Sequence, residues 1–181
     1  VTVLVFPDTT VVRNFAILHR MDLLGLLVGE RGAWCGTVAS ECSDQAKNES
    51  LSDMALAPDI FGAPWYPEAA EQVEIRLLRD RLASPGDGRH QHLGEAETVV
   101  LASRRAAGSF FVTDDRSASR VAVEHGLTVV TTADLIRLAV RTGKVAADVA
   151  WGYVQTLVAQ DRWVPWEARA SRGSFDGWLA G

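Results

Sequence analysis

Carboxylates stand at four points along this chain where an apolar run gives way to helix-forming sequence: Asp8, Glu41, the run Gly94-Glu95-Ala96-Glu97, and Asp114-Asp115. Asp8 closely follows Val3-Leu4-Val5-Phe6, and Asp114-Asp115 closely follows Phe110-Phe111-Val112. Ligand sites of open parallel sheets form outside the carboxyl ends of the strands, where acids distant in sequence meet. Carboxylates brought together raise one another's pKa unless a cation lies among them. Oxygen ligands suit Mg²⁺ or Mn²⁺, ions that keep several waters. An acid cluster around such ions hydrolyses phosphoryl groups by activating water and stabilising the leaving oxygen. Plainer roles stand beside that one. An Asp after a strand caps the next helix, a Glu in a first turn complements the helix dipole, and Asp-Asp before a Ser-rich helix start makes a turn.

The elements that must position these acids follow from period and punctuation. Residues 2–6 read as a buried strand. Asp8, Thr9 and Thr10 supply helix-start chemistry, with Val11, Val12, Phe15, Ala16 and Leu18 as the apolar face. A helix is expected over 21–28, a second strand over 33–38, and a helix over 39–47 carrying Glu41. Residues 48–66 are irregular. Helices follow over 68–82 and from 93 to about 107, separated by the loop at 84–89. Strand three spans 109–113, a helix 117–125, strand four 127–131, a helix 133–141, and another 144–160. Glu95 and Glu97, two residues apart, point roughly 200° apart around a regular helix, so one ion does not hold both there. The alternation of β and α predicts an α/β fold, a three-layer α/β/α sandwich with a mostly parallel central sheet.

The chain has 181 residues, enough for one domain with a full core. We expect a main domain over 1–142 and a C-terminal helix with a Trp-rich tail over 143–181, packed on it or extending from it. No apolar run reaches the ~18–20 residues that span a bilayer, and no signal peptide is visible. The two cysteines, Cys35 and Cys42, suggest no disulfide framework, which favours a reducing cytoplasm. The net charge of −5 argues against nucleic-acid binding by bulk electrostatics. It suits instead a bound metal or a basic partner.

Leu4-Val5-Phe6-Pro7-Asp8-Thr9-Thr10 with Asn14, then Glu41, then Gly94-Glu95-Ala96-Glu97, then Phe111-Val112-Thr113-Asp114-Asp115, resembles the PIN domain in that order. Met21-Asp22-Leu23-Leu24 and the Gly-Glu-Ala-Glu form are similar to a toxin-like, VapC-type subfamily. The Glu pair also resembles that of flap endonucleases. Residues 126–135 look like the family's late strand and following helix, and the resemblance covers roughly 2–142. It implies an Mg²⁺- or Mn²⁺-dependent endoribonuclease with Asp8, Glu41, Glu97 and Asp115 as catalytic acids. The metal ligands it implies are Asp8, Glu95, Glu97, Asp114 and Asp115, with Asp114 an alternative fourth acid. Thr9, Asn14 and Thr113 take supporting roles. RNA is the implied substrate, and a small antitoxin protein that blocks the acids is the implied partner. A homodimer is also expected. Pro7 departs from the motif, because it removes a sheet donor next to Asp8.

Arg89, Arg116 and Arg120, with Arg104-Arg105, are candidate phosphate contacts, and solvated helix faces are the plainer reading. His90 and His92 could bind metal or sit in a solvated loop. Trp163, Trp166 and Trp178 could stack bases or pack. Residues 68–82 offer either a core face or a docking face. Two rivals to the toxin ribonuclease remain: a catalytically weak or inactive PIN-like nucleic-acid-binding or regulatory protein, and another acid-site phosphohydrolase on a doubly wound sheet.

Overall fold

A computed structural model describes residues 3–181. Three parallel strands in the order β1-β2-β3, Val5–Pro7, Phe110–Val112 and Thr128–Val130, form the sheet. Val5 pairs with Phe110 and Pro7 with Val112; Phe110 pairs with Thr128 and Val112 with Val130. Eleven α-helices are seen among the described residues: α1 Thr9–Ile17, α2 Met21–Val28, α3 Gly36–Gln45, α4 Ala57–Phe61, α5 Ala69–Leu82, α6 Leu93–Arg105, α7 Arg116–Glu124, α8 Thr132–Arg141, α9 Ala147–Ala159, α10 Trp166–Arg169 and α11 Arg172–Ala180.

Alternation along each strand sends side chains to opposite faces, and two cores result. Val5 and Val112 join Phe15, Leu24, Ile136 and Val154 on one side. Phe6 and Phe111 join Ile75, Val99, Val100 and Val121 on the other. The layers are therefore helix, sheet and helix, as the alternating pattern of the sequence implies.

The second expected strand, 33–38, is not one. Residues 32–35 run extended beside β1 but make only isolated bridges, Val5 to Gly32 and Cys35 to Trp65, and α3 begins at Gly36. The outer edge of β1 gives this segment one backbone bond, Ala33 N–H to the Val5 carbonyl at 3.1 Å. At Gly36 the backbone N–H turns to the Trp65 carbonyl at 2.9 Å. A Cβ on Gly36 would fall 2.6 Å from the Tyr66 ring, so any larger residue there would have to push that exposed side chain aside. The first expected strand starts at residue 2, outside the described residues, and is observed from Val5. The irregular stretch 48–66 contains a 3-10 segment, Glu49–Leu56, followed by α4.

Pro7 does no harm to the sheet. Asp8 donates its N–H to the Val112 carbonyl at 2.8 Å, while the Val5 carbonyl faces the outer edge. Pro7 shares the outer direction with Val5, so its missing donor falls on the edge, away from β2.

The tail has more structure than its composition suggests. Ser171 caps α11 by accepting from Ser174 N–H at 3.1 Å. Phe175 is fully buried, with ring centroids 5.3 Å from Trp151 and 5.7 Å from Trp178. Arg137 on α8 covers the Trp178 ring at 5.0 Å. The tail is thus seated on α8 and α9. Phe175→Ala is expected to cost about 3–5 kcal/mol, read as a lower urea midpoint; an unchanged midpoint would mean that the tail contributes nothing to global stability.

Candidate functional site

Asp8 is where the sheet places it, one residue past β1. It occupies the N-cap position of α1 but makes no side-chain capping bond. Its carboxylate instead accepts from the Thr113 hydroxyl at 3.2 Å, across the neighbouring strand end. Only 5% of the residue is exposed. Burial pushes its carboxyl up to about 7. The Glu95 charge adds to the rise, and hydrogen bonding, including that from Thr113, opposes it.

Glu41 and Glu95 complete an acid cleft of 360 Å³ with Asp8, Thr9, Thr10, Arg13 and the turn at residues 90–92. Thr9 donates its hydroxyl to Glu41, tying α1 to α3. Burial raises the Glu41 pKa first; the Thr9 bond opposes the rise, and Glu95 and Glu97 add to it. The start of α6 lies close against α3. A Cβ on Gly94 would meet Val38 Cγ2 at 3.3 Å and the Glu41 carboxylate oxygens at 3.5 and 3.6 Å. No lysine or arginine among the described residues pairs with Asp8, Glu41 or Glu95.

The remaining acids are placed differently. Glu97 is buried and accepts from Thr37, by its hydroxyl and by its N–H at 3.4 Å, in the first turn of α3. Glu95 and Glu97 therefore diverge, as helical spacing requires. Asp114 accepts from Thr132 N–H at 2.8 Å, the Thr132 hydroxyl at 2.6 Å and the Asn14 amide at 2.9 Å. Burial raises its pKa, and the bonds from Thr132 work against the rise. Asp115 caps α7, accepting from Ala118 N–H at 2.7 Å, and its own N–H donates to the Thr113 hydroxyl at 3.1 Å. Neither Asp114 nor Asp115 lines the acid cleft.

Asn14 is fully buried and links these parts. Its amide donates to Asp114 and to Thr132 Oγ1 at 3.0 Å, and its carbonyl accepts from Arg162 Nε at 2.8 Å. Arg162 arrives because Asp161 takes a left-handed φ of 54° after α9 and turns the chain back. Burial and then the Arg13 charge work against the charged form of Arg162, and Asp114 and Asp8 support it.

Of the basic candidates, Arg89, Arg116 and Arg120 are exposed and lie outside the residues that line the cleft. Arg104 and Arg105 bond Glu74 at 2.6 Å and Glu71 at 2.8 Å, joining α6 to α5. Helix α5 buries Ile75, Leu78 and Leu82 and leaves Val73 and Leu77 exposed. Trp178 is packed, while Trp163 and Trp166 are exposed. Cys35 and Cys42 are buried free thiols. Burial pushes each up to about 12, helped by the charges of Glu97 and Glu41 respectively.

Arg13, Thr37, Thr132 and Arg162 were not singled out by sequence reasoning. Arg13 had a usable signal, lying about one helical turn beyond Thr9. Arg162 had none, since its place depends on the turn at Asp161. His92 lines the cleft with Nδ1 buried and unbonded, 3.5 Å from Glu95 Oε1, while its Nε2 lies 3.3 Å from Asp87.

These residues fit a divalent ion of a particular kind. No three His, Cys, Asp or Glu side chains among the described residues converge tightly enough to enclose one. Mg²⁺ and Mn²⁺ are commonly held by one or two carboxylates with the rest of the shell as water. Unneutralised carboxylates and an orphaned ring nitrogen around an open cleft suit such a hydrated ion. Among the described residues no helix is long and apolar enough to cross a membrane.

A PIN-domain family model matches residues 4–171, and the chain belongs to that family. The match continues past residue 142 into the C-terminal helices. No curated protein and no solved structure matches the chain.

The raised Asp8 carboxyl has a consequence for stability. Between the unfolded value of 3.8 and the folded value of about 7, the native state keeps a proton that the unfolded chain has released. Stability therefore falls as pH rises through that window and stays reduced above it. In EDTA, Asp8→Asn is expected to flatten this fall, which amounts to at most about 4 kcal/mol for Asp8 in the wild type. Denaturant unfolding from pH 4 to 8 measures it, and an equally steep fall in the variant would remove Asp8 as the cause.

Proposed function

We propose that this PIN-domain protein is a divalent-metal-dependent endoribonuclease that hydrolyses RNA phosphodiester bonds, and that it is the toxin of a bacterial toxin–antitoxin pair. The observation that carries the reading is the convergence of Asp8, Glu41 and Glu95 from three elements on one open cleft, with no lysine or arginine pairing with them. Asp8 adds to that support: its buried carboxylate is turned to Thr113 at the neighbouring strand end, beside the cleft.

In this reading a hydrated Mg²⁺ or Mn²⁺ would be held by one or two of the carboxylates Asp8, Glu41 and Glu95, with water completing its shell. A divalent ion in such a site supplies Lewis-acid polarisation of the phosphate and a more acidic water. The chain's own residues do the rest. Thr113 orients the Asp8 carboxylate across the strand ends, and Thr9 orients Glu41. His92, with its ring beside Glu95, is placed to carry a proton at Nδ1. Glu97 and Asp114 stand behind this group: Glu97 anchors the start of α3, and Asp114 anchors Asn14 and α8. Asp115 sets the entry of α7. A small antitoxin offering a basic side chain to the unpaired acids would block the cleft. Action in the cytoplasm and self-association complete the proposal.

A second reading, a binding or regulatory PIN module of weak activity, draws on the engagement of Glu97 with Thr37 and of Asp115 with its helix cap. Cleavage of labelled single-stranded and structured RNA in Mg²⁺ and in Mn²⁺ separates the two. Asp8→Asn and Glu95→Gln are each expected to lose about a hundredfold or more in rate. Asp115→Asn keeps its cap, since Asn caps as well as Asp, and should stay within a fewfold of wild type. Undiminished cleavage by Asp8→Asn would sink the site, and no cleavage by wild type in either metal would favour the binding module.

A further inference from the structure

Beside the acid cleft, on the other side of Arg13, lies a second cavity of 410 Å³. Arg13, His19, Ser50, Gln160 and Arg162 line it. Arg13 lines both cavities, so the two adjoin along α1. Three carboxylates line the first; the second has none in its lining and sets the two guanidinium groups beside Ile17 and Leu51.

The two arginines are held but not neutralised. Each uses its Nε within the protein: Arg13 donates to Gln45 Oε1 at 2.8 Å and Arg162 to Asn14 Oδ1 at 2.8 Å. Both acceptors are neutral amides. No hydrogen bond to the Nη groups of either is found among the described residues, and neither arginine forms an ion pair there. Other arginines with ordered partners behave differently: Arg105 pairs with Glu71, Arg81 with Glu124 and Arg172 with Asp148. His19 beside them faces Asp53 at 2.9 Å, and the charges of Asp114 and Asp8 favour the Arg162 cation without an ion pair to it. A partly buried guanidinium fixed at Nε with its fork free is organised for bidentate contact with an oxyanion. The Arg13 charge works against that of Arg162, and an anion between the two forks would relieve it.

The geometry points to this cavity as a binding subsite for the phosphodiester backbone of a nucleic-acid strand, with Arg13 and Arg162 clamping phosphate next to the one presented to the acids. This inference rests on the nuclease reading for the identity of the strand. It adds the path of the substrate and gives the segment beyond residue 142 a function, because Arg162 comes from it. The arrangement also answers how a protein of net charge −5 can hold a polyanion: the contacts are local and few, so the salt dependence should be shallow.

Fluorescence anisotropy of a labelled single-stranded RNA in EDTA, at several salt concentrations, tests it without requiring cleavage. Arg13→Gln and Arg162→Gln are compared with Arg81→Gln, which removes an arginine from α5 on the opposite helical layer. Each of the first two is expected to weaken binding about fivefold or more, and to make the slope of log K against log salt shallower by about 0.7, the value for one lost phosphate contact on a single strand. Arg81→Gln should change neither. Should Arg162→Gln unfold through its loss of Asn14, Arg13→Gln still decides, and thermal melting identifies that case. Slopes and affinities indistinguishable from Arg81→Gln, or no RNA binding by wild type, would overturn the subsite. So would tighter arginine-dependent binding of polyglutamate than of RNA, which would mark the cavity as a seat for an acidic protein. Single-stranded DNA of the same sequence shows whether the sugar matters. Retained arginine-dependent binding without cleavage would leave the subsite standing and remove only the nuclease.

Discussion

Three strands of three residues cannot by themselves align four separate stretches of chain. The buried Asn14 does that work. Its amide reaches the end of β2 through Asp114 and the start of α8 through Thr132, and its carbonyl receives Arg162 from beyond α9. A buried polar group costs stability unless all its bonds are made. Here each partner completes another: the Thr132 hydroxyl accepts from Asn14 and donates to Asp114. Such a network tolerates one arrangement, and through α1 that arrangement fixes where Asp8 and Thr9 point.

The cleft itself is held against an electrostatic gradient. Burial and mutual repulsion oppose the ionised forms of Asp8 and Glu41. The fold compensates with hydroxyl groups more than with cations, using Thr113 for Asp8, Thr9 for Glu41 and Thr37 for Glu97. Hydroxyls orient a carboxylate without neutralising it, so the acids remain available to an incoming positive charge. Arginines in the vicinity are secured by amides instead of acids. The same economy of pairing thus keeps both signs of charge reactive within one helix turn of α1.

Much of this was legible from the sequence. An Asp or Thr directly after a β-rich run is a strand-end residue by counting, and Asp8, Thr113 and Asp114 fall where that rule places them. The divergence of Glu95 and Glu97 follows from helical spacing alone. The apparent strand at 33–38 misled because its apolar composition satisfies a strand pattern, whereas the segment makes one backbone bond to β1 before Gly36 turns its N–H to Trp65 and α3 begins. Asp115 caps α7, and its residue type alone does not separate that use from metal ligation, since both place an Asp at the same junction. Arg162 was invisible for a different reason. It lies 148 positions from Asn14, and nothing local to it encodes a bond across that separation.

The two thiols turn the interior of this protein into a reporter. Only thiolate reacts with alkylating agents, and Cys35 and Cys42, held near 12, are almost wholly protonated at neutral pH. Both belong to α3, Cys35 at its N-cap and Cys42 within it, immediately after Glu41. Alkylation is then expected to run fastest through molecules in which that helix has transiently detached, where a thiol regains its ordinary acidity. With no other sulfhydryl in the chain to compete, labelling kinetics would time the breathing of the one helix that carries Glu41.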